Sequence, residues 1–437
     1  MNSEPCTMTS ELYEIMAPVG SRDSLAAALK AGADSVYFGI GQLNMRSHSA
    51  NHFTIDDLKE IAAICNEAKV RTYLTVNTII YGEDLDQMRL ICDAAKKAGI
   101  TAVIACDVAV MMYCREIGME VHLSTQLNIS NIESLKFYAQ FADVVVLARE
   151  LNLTQVAEIH RQIEEQHICG PSGRLIQIEM FCHGALCMAV SGKCYMSLAN
   201  ANRSANRGEC IQICRRSYLL TDAETGNQIE VDNKYLMSPK DLKTIRFIDR
   251  LMKAGVRVFK IEGRARGPEY VYTVVKCYKE AIEAVLKDQQ RIKTPNREGA
   301  PLYFTEERKD EWDQRLATVF NRGFWDGYYQ GQLMGEWNKN YGSNATEKKQ
   351  LIGKVMHYFP KIKVAEVAVE AAEFSLDDQL LITGPTTGAL WVKCTEIRYE
   401  YEMVYTAHQR QRVSIPVPEQ VRPNDKVFKL IKAETEE

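Results

Sequence analysis

The feature that most constrains the fold is an alternation of short apolar, β-branched runs with amphipathic helical segments over about the first 290 residues. The apolar runs have the length of strands, and the segments between them carry apolar residues at helical spacing. Three segments end in Lys-Ala-Gly, which puts a cation in the last helical turn and a glycine after it. The predicted strands are residues 14–18, 35–39, 71–77, 102–106, 120–125, 144–148, 176–181 and 258–263.

Eight strand–helix units in a row predict an α/β fold, a closed TIM-like (β/α) barrel of parallel strands. An open, doubly wound parallel sheet is the alternative. A barrel of this kind carries its chemistry at the carboxyl ends of its strands. The polar residues predicted at such ends are Asn77, Asp107, 124–128, 149–150, His183 and 262–264.

The rest of the chain divides into an insertion, a connector and a tail. The barrel domain is predicted over residues 1–290, with a cysteine-rich loop at 182–217 inserted in it. The loop is followed by a hairpin around residues 224–227 and a helix within 238–255. Residues 291–345 are predicted to be a linker and a helical, aromatic connector. Short strands separated by turn residues predict a small β-barrel domain over 346–437.

Five of the thirteen cysteines fall between Cys182 and Cys214. The chain shows neither a signal-peptide pattern nor an apolar run long enough to span a membrane, so we expect a cytoplasmic protein with no membrane partner. Thiols stay reduced in that compartment, and an odd number of cysteines excludes complete pairing. A dense cluster then indicates metal binding or redox chemistry. The net charge of −4 shows no overall signature of a nucleic-acid partner, but it leaves a local basic groove open.

The spacing within the cluster leaves the metal open. Only Cys210 and Cys214, which have three residues between them, resemble a zinc-binding pair. Four thiolates converging from a glycine- and serine-rich loop also suit a 4Fe–4S cluster. Cysteines packed in the core without a metal are the third interpretation.

The run EMFCHGALCMAVSGKCYMS (179–197) resembles the signature of peptidase family U32, the collagenase-like peptidases. Residues 16–39, 124–131, 203–218 and 260–264 resemble the same family. The resemblance implies a barrel and a 4Fe–4S cluster held by four cysteines. Some relatives have a further cysteine where this chain has Lys243. The implied metal ligands are Cys187, Cys194, Cys210 and Cys214, which leaves Cys182 expendable.

Several proteins similar to this family hydroxylate their substrates without molecular oxygen. One branch forms 5-hydroxyuridine at the wobble position of tRNA, with prephenate implicated as the oxygen source, and the tail of this chain (321–329 and 352–385) resembles that branch. The resemblance therefore implies tRNA and a small dicarboxylate as partners. The alternatives are a collagenase-like peptidase, an rRNA-hydroxylating relative and a metal-bearing scaffold.

Roles for individual residues follow from their positions near strand ends and in the loop. His183, Glu262 and Arg264 are the catalytic candidates. A peptidase would need a nucleophile beside a base, and adjacent residues such as Cys182 and His183 point to opposite faces of a strand. The candidate substrate-binding residues are Asn77, Gln126, Asn128, Arg203, Asn206, Arg207, Arg215 and Arg216.

Overall fold

The computed structural model describes residues 13–47, 53–229, 237–292, 302–333, 335–338 and 342–433. Its first part alternates strands and helices as the sequence predicts. Serine and asparagine side chains cap helix starts, and glycines in the left-handed region follow several helix ends, Gly32 and Gly99 among them. The elements up to the insertion are β1 (Glu14–Pro18), α1 (Arg22–Ala31), β2 (Ser35–Phe38), α2 (Leu58–Glu67), β3 (Arg71–Val76), α3 (Leu85–Ala98), β4 (Ala102–Ala105), α4 (Val108–Ile117), β5 (Glu120–Leu123), α5 (Ile132–Ala139), β6 (Val144–Val146), α6 (Leu153–Glu165) and β7 (Gln177–Gly184).

The insertion and the last barrel unit follow β7. The insertion carries one short helix and a two-stranded hairpin in which Leu220 pairs with Ile229, at the predicted place. The elements of this part are α7 (Met196–Ala201), β8 (Leu220–Thr221), β9 (Gln228–Ile229), β10 (Asp241–Lys243), α8 (Ile248–Lys253), β11 (Val256–Ile261) and α9 (Pro268–Ile292).

The strands close into a ring. Strands β1 to β7 pair in sequence order, and β11 pairs in parallel with both β1 and β7. The predicted parallel (β/α) barrel of eight strands is therefore confirmed, and the open doubly wound sheet is excluded. The carboxyl ends of these strands all meet at one mouth.

The helix predicted within 238–255 is correct only in its second half. Residues Asp241–Lys243 form β10 instead, antiparallel to β7, with Leu242 opposite Gly184. Strand β7 extends beyond its three-residue neighbour β6, which leaves backbone groups without a partner at its end. Strand β10 supplies those partners, because buried backbone groups must be hydrogen-bonded.

A connector joins the barrel to the tail. It contains α10 (Glu306–Thr318) and β12 (Phe324–Trp325), and β12 pairs in parallel with β10. Trp312 of α10 is fully buried and packs into the barrel's core. Residues 293–301 of the predicted linker, with 334 and 339–341, lie outside the described residues.

The tail is an antiparallel β-sheet domain with its own apolar core. Its strands are β13 (Glu347–Phe359), β14 (Val364–Val369), β15 (Phe374–Ser375), β16 (Gln379–Gly384), β17 (Gly388–Lys393), β18 (Arg398–Tyr399), β19 (Glu402–Met403), β20 (Thr406–Ala407), β21 (Arg412–Pro416) and β22 (Lys426–Lys432). The eight-stranded sheet has the order β17-β16-β22-β13-β14-β21-β18-β19, and β15 pairs with β20. This confirms a β-rich C-terminal domain. No helix in the described part of the chain is both long and apolar enough to cross a membrane.

Candidate active site at the carboxyl ends of the barrel strands

A cavity of about 280 Å³ lies at the mouth of the barrel, beneath the cysteine-rich insertion. Its walls come from the strand ends on one side and from the insertion on the other. The polar and charged residues that line it are Tyr37, Arg46, Thr75, Asn77, Ser124, Thr125, Gln126, Arg149, Cys187, Ser191, Cys194, Cys210, Gln212, Cys214, Arg215, Lys260, Glu262, Arg264, Arg266 and Arg322.

The insertion is fastened across the mouth by specific contacts. Arg207 forms an ion pair with Asp84 and donates a 2.9 Å hydrogen bond to the carbonyl of Ile79. Gly208 has φ +82°, and a Cβ at this position would lie 2.3 Å from the carbonyl oxygen of Asn44. Glycine is therefore required where the insertion touches the loop after β2. These contacts fix the position of the cysteines over the strand ends.

All four cysteines implied as ligands line this one cavity, and each is a free thiol. The pKa of Cys214 is raised, chiefly by burial and further by the neighbouring Cys187, Cys210 and Cys194, while Arg215 opposes the rise. The thiol of Cys214 therefore interacts electrostatically with the other three cysteines. Within the described ranges, no three His, Cys, Asp or Glu side chains are already arranged as a metal site.

The chemistry of this donor set fits a thiolate-bound metal or an iron–sulfur cluster. Four thiols on a loop with short secondary structure have the right number and type of ligands for 4Fe–4S. Cations close to thiolates lower the cost of deprotonating them, and Arg46 and Arg215 both interact electrostatically with the cysteines.

Glu262 is the carboxylate among the described lining residues. One oxygen accepts a 2.8 Å hydrogen bond from Arg46, and the other lies 3.2 Å from the hydroxyl of Tyr37. Burial alone would raise the pKa of Glu262, but Arg46 and Arg264 outweigh it and lower the pKa to about 2. Glu262 is therefore ionised at neutral pH and acts as a hydrogen-bond acceptor or an anchor, not as an acid.

Arg264 lies beside Glu262 and is buried, with only 8% of its surface exposed. It donates 2.8 Å to the hydroxyl of Thr75, and burial lowers its pKa. Its Nε is buried and has no partner among the described residues. Such a guanidinium is costly to bury, and the neighbouring Glu262 offsets part of that cost.

The cavity carries a surplus of positive charge. Seven cations line it, and the carboxylates in or against its wall are Glu262, Glu179 and Asp241. Glu179 accepts a 2.7 Å hydrogen bond from Lys260, and both side chains are buried at the cavity floor. A low-dielectric cleft with such a surplus attracts and holds anions. The seven cations are Arg46, Arg149, Arg215, Lys260, Arg264, Arg266 and Arg322.

His183, a predicted catalytic residue, lies outside the cavity lining. The register between β7 and β11 shifts here: Lys260 lies opposite Phe181, but Ile261 lies opposite His183. This bulge turns the histidine away from the face shared by Glu179 and Phe181. Its ring lies against Tyr278 and Phe324, and burial lowers its pKa to about 3. It is a neutral packing residue.

The predicted substrate-binding residues fall into two groups. Asn77, Gln126 and Arg215 line the cavity, and the Asn77 amide donates 3.1 Å to the hydroxyl of Ser124. The others lie outside its lining, and their role in substrate binding stays a prediction. Asn128 donates to the Ser191 carbonyl over 3.1 Å and so holds the insertion. The remaining residues are Arg207 and Asn206, which contact the 79–84 segment, and the exposed Arg203 and Arg216.

Several lining residues were missed by the sequence reasoning. Lys260 alternates with Glu262 and Arg264 along one strand and its extension, so it shares their face. The spacing of two residues between these side chains could have identified Lys260 from the sequence. Arg46, Arg266 and Arg322 come from loops, where side-chain direction follows from the tertiary structure and not from spacing.

Comparison with known proteins places this site in a family. The family model described as "Peptidase family U32" matches residues 20–339. A protein named "Collagenase" from Porphyromonas gingivalis W83 is 60% identical over 97% of this chain and 99% of its own length. The "tRNA hydroxylation protein P1" of Bacillus subtilis is 31% identical over 79% of this chain and 77% of its own. The "23S rRNA 5-hydroxycytidine C2501 synthase" of Escherichia coli is 33% identical over 65% and 41%, respectively.

Proposed function

The chain belongs to peptidase family U32, and we propose that it is a hydroxylase of that family that forms 5-hydroxyuridine at the wobble position of tRNA. The proposal includes a 4Fe–4S cluster on Cys187, Cys194, Cys210 and Cys214, a cytoplasmic location, and prephenate, a dicarboxylate, as the source of the hydroxyl oxygen. Zinc is the alternative metal.

One observation carries the proposal: four thiols and seven cations line the same cavity, while no histidine does so among the described residues. Thiols suit a soft metal or a cluster. The cations suit an anionic co-substrate and the phosphates of RNA. Hydrolysis by a thiol or hydroxyl would instead need a general base beside the nucleophile.

The bound cluster would supply electron transfer or Lewis acidity. The residues of the chain would do the rest. The target uracil must leave the base stack to enter the cavity, where the amides of Asn77 and Gln126 present donors and acceptors to its edge. Arg46 and Arg264 keep Glu262 ionised, so Glu262 accepts a hydrogen bond from the base.

The second candidate function is a collagenase-like peptidase. Sequence similarity favours it, because the relative of that name is 60% identical, whereas the relatives named for tRNA or rRNA hydroxylation are 26–33% identical. The arrangement of side chains favours a peptidase less. His122 is buried in the barrel against Glu120, Asp107 caps α4, and His183 faces away, so these three groups do not converge. A hydrolytic site would have to use the cavity thiols with Lys260 or Glu262.

The test compares tRNA nucleosides and peptide cleavage in parallel. A strain lacking the gene is complemented with the wild-type chain, Cys194→Ala or, as a matched control, Cys182→Ala. We expect 5-hydroxyuridine derivatives in tRNA to disappear on deletion and to return with wild type and Cys182→Ala only. Unchanged tRNA profiles, together with collagen cleavage by purified protein, would establish the peptidase instead. Loss of 5-hydroxycytidine from 23S rRNA on deletion would indicate the function of the rRNA-modifying relative. If neither RNA modification nor peptide cleavage depends on the protein, it acts as a scaffold.

A further inference from the structure

Three arginines converge on one buried carboxylate at the side of the cavity formed by the insertion and the connector. Arg322 contacts Asp241 over 3.5 Å, and Arg266 and Arg215 act on the same carboxyl electrostatically. Burial raises the pKa of Asp241, and the three arginines offset this only in part. One carboxylate therefore faces three guanidinium groups.

Arg215 already has a structural task. It donates 3.0 Å to the hydroxyl of Ser238 and 2.6 Å to the carbonyl of Pro239, and it also bonds the carbonyl of Leu186. Its guanidinium thus ties the start of the insertion to the segment before β10. It has few donors left for a ligand.

Arg266 and Arg322 are different. The guanidinium of Arg266 donates no hydrogen bond to any described residue, and it lies 3.4 Å from the ring centre of Phe320. Arg322 lies 5.1 Å from the same ring, and its bond to Asp241 is long. Both line the cavity, as do Cys187 and Cys214.

The guanidinium groups of Arg266 and Arg322 lie against the same ring and repel each other electrostatically. Burial and then Arg322 lower the pKa of Arg266 to about 10, which shows that the charge is poorly compensated. An oxyanion between the two forks would supply acceptors to both and remove the repulsion, since arginine forks match carboxylate and phosphate geometry.

We propose that Arg266 and Arg322 form an oxyanion subsite in the cavity that the cysteines line, distinct from the Arg46–Glu262–Arg264 group. Phe320 supports both guanidinium planes, and Asp241 holds Arg322 in place. The ligand is a carboxylate or phosphate group. It comes either from a small acid or from the RNA backbone; its assignment to a hydroxyl donor rests on the proposed function, but the subsite itself does not.

The experiment measures anion binding by calorimetry on the full chain. The probes are malonate, inorganic phosphate and an unmodified tRNA transcript. Arg266→Gln and Arg322→Gln are compared with Arg250→Gln, which removes an exposed arginine that bonds Gln330. Arg322→Lys keeps the charge without the fork, and near-UV circular dichroism verifies that each variant is folded.

We expect each glutamine variant to weaken malonate and phosphate binding at least tenfold, with Arg322→Lys intermediate and Arg250→Gln unchanged. Weaker binding of the small anions alone identifies a small acid as the ligand, and weaker tRNA binding identifies the RNA phosphate. Equal affinities for wild type and both glutamine variants, or no binding of any probe, would overturn the subsite. Because the assay measures binding, its result does not depend on whether the tRNA profile changes.

Discussion

The charges around Glu262 show how single residues set the character of the cavity. Two arginines hold its pKa at about 2 although it is buried. The folded-state pKa therefore lies below the value of about 4.5 in the unfolded chain. Its contribution to stability is complete above that unfolded value, and it is lost as the pH falls toward 2.

We predict that Glu262→Gln lowers the free energy of unfolding at pH 7 by at most about 3 kcal/mol, which is the value of a shift of this size. It also makes the loss of stability between pH 4.5 and 2 less steep. Urea titrations across this range measure both effects. Glu60→Gln is the control, because the exposed Glu60 pairs with Arg22 at the surface and should change stability far less. Equal effects of the two variants would contradict this account of Glu262.

The residue scale is also where sequence reasoning was weakest. Glu262 and Arg264 were predicted from their place at a strand end, and both line the cavity. His183 was predicted by the same rule but lies outside the cavity lining, because a bulge in β7 reverses its direction. Strand ends are readable from sequence, whereas a one-residue register shift depends on the neighbouring strand.

At the scale of elements, the insertion covers the barrel mouth and is held there by contacts with the loops that follow the strands. Its contacts reach the loops after β2, β3 and β5, through Gly208, Arg207 and Asn128. The alternation of strands and helices predicted the barrel, since that pattern is local. Strand β10 was not predicted, because it forms only to complete the free edge of β7.

We predict that Gly208→Val lifts the insertion from the mouth and raises hydrogen exchange over residues 194–214. The new Cβ would meet the Asn44 carbonyl. Gly226→Val is the matched control: Gly226 has φ +73° in the same insertion, and a Cβ there meets nothing within 4 Å. Both variants carry a backbone strain of about 1–2 kcal/mol, so only the collision differs. Similar exchange in the two variants would show that the contact does not hold the insertion.

At the scale of the whole molecule, the C-terminal sheet domain packs on the outside of the barrel and not over its mouth. A Cβ at Gly388, at the start of β17, would lie 2.7 Å from the backbone of Ala27 in α1. Trp391 packs against Tyr272 of α9 with ring centres 5.2 Å apart, and Lys30 pairs with Glu419. The close approach at Gly388 makes the two domains one packed body.

We therefore predict that Gly388→Val makes the barrel and the C-terminal domain unfold independently of each other. Differential scanning calorimetry should show two transitions in this variant where the wild type shows one. Gly331→Val is the control, because Gly331 also has a positive φ of 88° but nothing within 4 Å of its Cβ position. A single transition at unchanged temperature for Gly388→Val would mean that the contact contributes little.

The central claim, that the four cysteines of the cavity hold an iron–sulfur cluster, is tested most directly by iron content and visible absorption after anaerobic purification. The account predicts about four irons per chain and a broad band in the visible range for wild type and for Cys182→Ala, whose thiol is buried outside the cavity lining. It predicts loss of both in Cys194→Ala. A colourless, iron-free wild type, or iron retained in full by Cys194→Ala, would contradict it.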